Sequence, residues 1–201
     1  MTDPEFEAAL VDAAFALGAQ AGWLHVSPAA AARHAGLDLT RARNLFACNG
    51  VILKKFGRQA DAAALAHAVA DGSVRDKLFD SLLRRFDYLQ PRRAGVLALM
   101  RVLPFCPPLA LALAEMNLVS MGWLLENAGV NATGIGGALK KRGLLAIWLY
   151  GLRAWAQDES PDLTATMAAV DKALARAEDM AHRRSPSSSQ PADPASPAPQ
   201  V

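Results

Sequence analysis

Cysteine and histidine are scarce in this chain. Its two cysteines, Cys48 and Cys106, lie far apart, which excludes a disulfide framework and a cysteine-based metal cluster. Four histidines, His25, His34, His67 and His182, are scattered along the sequence, and none has the i,i+4 partner that a helical zinc site needs. An excess of one charge is also missing. The 21 Lys and Arg residues against 19 Asp and Glu leave a net charge of +2, too little to indicate a partner by itself. β-branched residues are spread thinly, so strands are not expected. Neither cysteine sits in a nucleophile motif. Asp158 and Glu159 are adjacent and on a helix would point in different directions, unable to share acid–base work. These absences argue against an enzyme and against any cofactor. The first residues, MTDPEFEAAL, are acidic and lack the apolar core of a secretory signal. A reduced, cytoplasmic setting is therefore expected, in which the Asn131-Ala132-Thr133 sequon carries no meaning.

What the chain does have is Ala, Leu and helix punctuation. It is 52% hydrophobic over 201 residues, enough to bury a sizeable core, and its dominant residues favour helix. An all-α fold is expected, in three regions: a small head over 1–56, a helical body over 57–184, and a Pro/Ser-rich tail over 185–201 that cannot bury enough apolar surface to order itself. Within the body, one helix is expected from Val51 to Asp71, ending at Gly72. The next runs from Ser73 to Leu89 and is stopped by Pro91. Its Val74, Leu78, Leu82 and Phe86 form one apolar stripe. Further helices are expected over Arg92–Leu103, from Pro107 to about Asn127, over Ala138–Gln157 and over Leu163–His182, with Ser160-Pro161-Asp162 separating the last two. The Gly129–Gly137 stretch reads as a loop; it lacks the GxxxxGK[ST] pattern of a phosphate cradle. Pro107–Leu125 is apolar enough to need a membrane check. It holds Glu115 and Asn117, opens with two prolines, and barely reaches the roughly 20 residues of a span. A buried helix without stable membrane insertion is expected.

The most informative stretch is Leu10–Phe46. It reads as a helix, LVDAAFALGAQAGW, a turn, a short helix opened by Ser27 and Pro28, a turn at Gly36, and a second short helix capped by Asp38. That is a helix-turn-helix, which presents one polar helix to the DNA major groove. Between Arg33 and Arg58 stand Arg33, Arg41, Arg43, Lys54, Lys55 and Arg58 against only Asp38, a local basic excess of the kind that tracks phosphates. Arg41 and Asn44 are the best base-edge candidates, since Arg reads guanine and Asn reads adenine. Thr40, Arg43, Lys54 and Lys55 are expected on phosphates, which position rather than specify. Ser27 joins the set at the start of the second helix.

On these residues the head resembles the TetR family of transcriptional regulators. The apolar first helix ending in Gly22 and Trp23, Val26-Ser27 at the next helix start, the small apolar Ala31, Ala32 and Ala35, the turn residue Gly36 and the closing Phe46 follow that family's register without insertion or deletion. A turn containing Trp155, Asp158, Ser160 and Pro161 resembles one near the family's C-terminus. Departures occur at Gly18, where the family usually has a large aromatic; at Ala42 and Arg43, where it has Leu-Tyr or Thr-Tyr; and at Asn49, where a phosphate-binding Lys is usual. The resemblance implies a TetR-like all-α fold, a three-helix head plus a C-terminal helical bundle for ligand and dimer contacts, and a ligand-responsive repressor that binds operator DNA as a homodimer.

A second family is also similar: the TetR-like ubiquinone-biosynthesis accessory proteins, coenzyme-Q protein nine. Phe46, Gly50, Leu53 and Phe56, and the Lys140–Ala146 segment followed by Tyr150 and Trp155, resemble its motifs. That resemblance implies a lipid-binding accessory protein without DNA binding. Both readings require an apolar cavity between the long helices, with Met100, Phe105, Met116, Met121, Trp123 and Trp148 as the expected lining for a small apolar ligand or lipid. Tyr150 and Trp155 are further candidates. For a two-fold dimer, Leu145, Leu149 and Leu152 of the penultimate helix and Leu163, Met167, Val170 and Leu174 of the last form the expected interface.

Overall fold

The computed structural model describes residues 1–66 and 72–184. Nine α-helices and three short 3-10 turns make up those residues, which contain no strand. The first helix, α1 (Asp3–Ala21), begins well before the expected Leu10. Its start is set by Thr2, whose backbone N–H donates to the Glu5 carboxylate at 2.7 Å, closing a capping box. A 3-10 turn over Trp23–His25 leads to α2 (Pro28–His34), and α3 (Leu39–Leu45) follows. Both predicted caps form: Ser27 Oγ accepts from the Ala30 N–H at 3.1 Å, and Asp38 Oδ1 from the Arg41 N–H at 2.7 Å. Gly36 takes φ +63° between the two helices, the left-handed conformation that glycine adopts without Cβ strain.

The departure at Gly18 has a packing cause. The 3-10 turn folds the Trp23 indole back under α1, where a Cβ on Gly18 would lie 2.6 Å from the Trp23 ring. The aromatic is present, supplied from a later position, and packs on Phe15 with ring centroids 4.9 Å apart. Asn49 likewise has a structural partner: its Nδ2 donates to the Val26 carbonyl at 2.7 Å, tying the next helix to the loop before α2.

That helix, α4 (Asn49–Leu65), runs through position 56 without a break, so the expected boundary between head and body falls inside one continuous helix. The expected end of α4, near Asp71, lies outside the described residues, as does His67. Ser73 caps α5 (Val74–Leu89), with Asp76 returning the bond. Leu78, Leu82 and Phe86 of its stripe are buried, whereas Val74 at the helix start is 45% exposed. Then come α6 (Arg93–Val102), α7 (Pro107–Asn127), α8 (Gly134–Gln157) and α9 (Thr164–Arg184). Helix α8 begins inside the segment expected as a loop. Its Gly137 packs against the Ala132 backbone, a fit that no side chain permits. The Pro/Ser-rich tail lies outside the described residues.

One apolar core joins head and body. Helix α1 lies on α6 because Gly95 lets the α6 backbone meet the Phe15 carbonyl directly. Phe15, Phe56 and Tyr88 form a relay of tilted rings from α1 through α4 to α5. At the far end α8 packs on α9 and both on α5. Gly151 makes that convergence close, since a Cβ there would sit 2.8 Å from Val170 and 3.1 Å from Phe86.

The expectation that Pro107–Asn127 is a buried helix is corrected. It is long and apolar enough to cross a membrane by length and composition, yet little of it is covered. Ser120, Met121, Leu124 and Leu125 are buried, all in its C-terminal half. Its apolar residues are distributed all round the helix, while α4, α8 and, to a lesser extent, α5 cover only part of its surface. Leu111, Val119 and Trp123 remain exposed.

Candidate nucleic-acid interface

Helix α3 is held from behind. Ala42 and the following Phe46 are each 1% exposed and anchor it to the core. The opposite face carries Thr40, Arg43 and Asn44, all exposed, at the i, i+3 and i+4 spacing that places side chains together. Arg33 and His34, at the C-terminal end of α2, are exposed beside the turn leading into it. The region bears a polar, cationic face on a helix fixed by two apolar anchors.

Two of the side chains expected at DNA have partners within the protein. Arg41 does not project freely. Its guanidinium lies over the Phe6 ring, 4.7 Å from the centroid, while Nη1 donates to the Met1 carbonyl at 3.1 Å and Nε to Asp3 Oδ1, also at 3.1 Å. Nη2 pairs with the same carboxylate. The fork that would read a guanine is occupied by the start of α1. Lys55 is similarly engaged, paired with Glu7 and placed over the Phe46 ring. The signal for both lay in the acidic first turns of α1, whose Asp3 and Glu7 reach the head's cations only once α1 is laid across them. Ser27 serves as a helix cap. Lys54 is exposed but belongs to a groove facing α7.

That groove, of about 480 Å³, runs between α4 and α7. From α4 it is lined by Lys54, Gly57, Arg58 and Leu65, and from α7 by Met116, Val119 and Trp123. Asp61 and Ser120 complete it in a polar network. Ser120 Oγ donates to Asp61 Oδ2 at 2.6 Å. The other Asp61 oxygen stands 3.2 Å from Arg85 Nη1. Arg85 is buried under the Trp148 ring, 4.6 Å from its centroid, and its Nη2 donates to Asn117 Oδ1 at 3.3 Å. Burial pushes the Arg85 pKa down, and the Asp61 carboxylate opposes that shift. The pair is poorly aligned: Asp61 Oδ1 and Arg85 Nε and Nη1 are buried without a well-directed hydrogen bond.

The predicted cavity lining is not assembled as expected. Met116 and Trp123 line the groove. Met121 is fully buried core, and Trp148 is core stacked on Phe86 at 4.5 Å between centroids. Met100 packs half-buried at the core edge, and Phe105 is 87% exposed in the turn before α7. Sequence alone could not separate these roles, because Met and Trp suit a solid core as well as a ligand. The expected dimer face also divides. Leu163, Val170 and Leu174 are buried within the protomer, where α9 packs on α8 and α5. They already have partners. Leu145, Leu152 and Met167 are half-buried, and Leu149 is exposed.

Asp158 fills the corner between α8 and α9. Its Oδ2 accepts from the Thr166 N–H at 2.8 Å and the Thr166 hydroxyl at 2.7 Å; its Oδ1 accepts from the Ser160 N–H at 3.1 Å and from the Ser160 hydroxyl. Burial opposes its ionisation, but the bonds from Ser160 and Thr166 outweigh this and hold the carboxyl below the usual carboxylate range. Leu163 completes the corner at φ +54°, a conformation rare for a branched residue. Among the described residues no cluster of His, Cys, Asp and Glu is arranged to hold a metal.

No family model matches the chain, and no curated protein matches it. Among solved structures, the chain is similar to the crystal structure of a TetR transcriptional regulator from Nitrosomonas europaea ATCC 19718, with 22% identity and a TM-score of 0.69 over 88% of this chain and 99% of that one. The fold is therefore TetR-like: all-α, with a helix-turn-helix at its N-terminal end.

Proposed function

We propose that the protein is a TetR-type transcriptional regulator, a repressor that binds operator DNA as a homodimer and responds to a small apolar ligand in the cytoplasm. The observation that carries this reading is the outward polar face of α3, with Thr40, Arg43 and Asn44 exposed while Ala42 and Phe46 are buried beneath it. In this reading residues 1–56 act as the reading head and 57–184 as the body. Asn44 is the base-reading side chain and Thr40 and Arg43 hold phosphates, while Arg41 and Lys55 brace α3 and α4 against α1. The dimer uses exposed Leu149 and half-buried Leu145 and Leu152 of α8, with Met167 at their border.

The test is a titration of the protein into labelled genomic fragments across a salt series. Sequence-selective binding that weakens steeply with salt supports the regulator. Asn44→Ala is expected to lose about 1–3 kcal/mol and to relax selectivity at one position, whereas Arg43→Ala weakens binding on all sequences and flattens the salt slope by about one. Absence of selective binding at low salt by the folded wild-type protein overturns the reading. One observation favours a second one, a lipid-carrying accessory protein: the uncovered apolar face of α7, with Leu111, Val119 and Trp123 exposed. Isoprenoid or acyl lipid that co-purifies with a protein lacking selective DNA binding would support it.

A further inference from the structure

The α4–α7 groove has a chemistry of its own. Its apolar wall is Met116, Val119 and Trp123, and the indole of Trp123 is 61% exposed although it stands at an otherwise well-packed part of α7. The opposite wall contains Gly57 in the interior of α4. Glycine inside a helix is less favourable than alanine by about 0.8–1.0 kcal/mol. Here no close approach of a neighbour requires it, because a Cβ at Gly57 would meet nothing within 4 Å. The missing side chain widens the groove instead. Beside this gap the groove carries two cations at i,i+4 spacing, Lys54 about one turn before Gly57 and Arg58 directly after it, both exposed. Among the described residues neither has a carboxylate within 4.0 Å. The groove's own acid, Asp61, is already committed to Ser120 and Arg85. An apolar channel with two uncompensated positive charges at its edge suits a molecule that is apolar along its length and anionic at one end. The volume, about 480 Å³, lies within the roughly 300–1,000 Å³ of small-molecule sites.

We infer that this groove binds a single-chain amphipathic anion, with its hydrocarbon chain along Met116, Val119 and Trp123 and its carboxylate or phosphate between Lys54 and Arg58. The inference rests on the ligand-responsive part of the function proposed above and gives that ligand a chemical class. Its test contains no DNA, so its failure and the failure of DNA binding are read separately.

The full chain is titrated with decanoate and decyl phosphate below their micellar concentrations, with decanol below its solubility limit and with acetate, and tryptophan emission is followed. Trp123 is the exposed indole, while Trp23, Trp148 and Trp155 are buried. Decanoate is expected to bind about tenfold more tightly than decanol, the equivalent of about 1.4 kcal/mol, and acetate not to bind measurably. Decyl phosphate distinguishes the two head groups: tighter binding than decanoate assigns a phosphate, weaker binding a carboxylate. Lys54→Gln combined with Arg58→Gln should bring decanoate and decanol to within about twofold of each other, because only the charge-assisted contacts are lost. Gly57→Leu should fill the groove and weaken both chains at least about tenfold, with helix content and thermal midpoint retained because a Cβ there meets open space and leucine favours helix over glycine. Equal affinity of the wild type for decanol and decanoate would overturn the inference. So would a folded Gly57→Leu protein that binds decanoate unchanged, since the chain would then lie elsewhere.

Discussion

Helices α3 and α7 each leave one face uncovered, and the two faces differ in kind. On α3 the uncovered face is mainly polar or cationic, Thr40, Arg43 and Asn44, with Leu39 exposed at the helix start. On α7 they are mainly apolar, Leu111, Val119 and Trp123, with Glu115 and Glu126 the exposed charges. Exposure alone therefore does not identify a function; the residues beneath each face matter as much. Helix α3 is fixed by small and aromatic anchors that leave its outer face to solvent, whereas α7 is largely apolar and only partly covered. The first arrangement fits a highly charged, hydrated partner. The second leaves room for an apolar one, and the groove beside it carries the cations that would select an anionic end.

Two arginines repeat the contrast at the level of single side chains. Arg41 joins α3 to α1 at the surface through Asp3, whose side chain is 64% exposed. Arg85 is buried under Trp148 and faces Asp61 from the interior. The surface pair is screened by water, while the buried pair has lost its hydration and depends on its partner.

The largest expected effect therefore comes from breaking the buried pair. Asp61→Ala should destabilise the fold by about 3–5 kcal/mol in urea unfolding, because it leaves the Arg85 guanidinium buried without a counter-charge. Adding Arg85→Met should restore most of that loss; if the double variant stays as unstable as the single, the cost arises from packing. Next in size is Gly151→Val, expected to cost about 1–3 kcal/mol by forcing α8 away from Val170 and Phe86. A lower thermal midpoint with an unchanged α3 surface would show that the body can be loosened independently of the head.

Asp158→Asn is expected to cost about 1–2 kcal/mol at pH 7, the range of a lost helix cap. Because the folded carboxyl is held below its usual range, the stability it contributes is complete above the unfolded value of about 3.9. It is lost as the pH falls through the lower folded value. The gap between wild type and variant should stay constant from about pH 7 to pH 5 and narrow below about pH 4. A gap that widened on acidification would contradict the hydrogen-bonded carboxylate. The smallest effect is assigned to Asp3→Ala, below about 1 kcal/mol by thermal unfolding, in direct contrast to Asp61→Ala.

Much of the head was legible in sequence because its signals are local. Ser27-Pro28, Gly36 and Asp38 each act on backbone within a few residues, and each appears in its expected role. The candidate site was legible only in part. Thr40, Arg43 and Asn44 share a face by helical spacing, which sequence carries. The capture of Arg41 by Asp3 and of Lys55 by Glu7 spans 38 and 48 positions, and no local pattern encodes such a meeting. The body was harder for a related reason. Met121, Trp148 and Val170 could serve a core, a cavity or a dimer face equally well, and burial alone separates those roles.

By itself the sequence determined that this protein is helical, where most of its helices start and stop, and which face of α3 is polar, because these depend on backbone chemistry and periodicity within a few turns. Only the tertiary structure decided which charges remain free, which apolar residues are already partnered, and that α7 gives only its C-terminal half to the core and borders a groove with Met116, Val119 and Trp123. Those outcomes depend on how distant helices approach one another, through close contacts such as Gly95 on Phe15 and Gly151 on Val170.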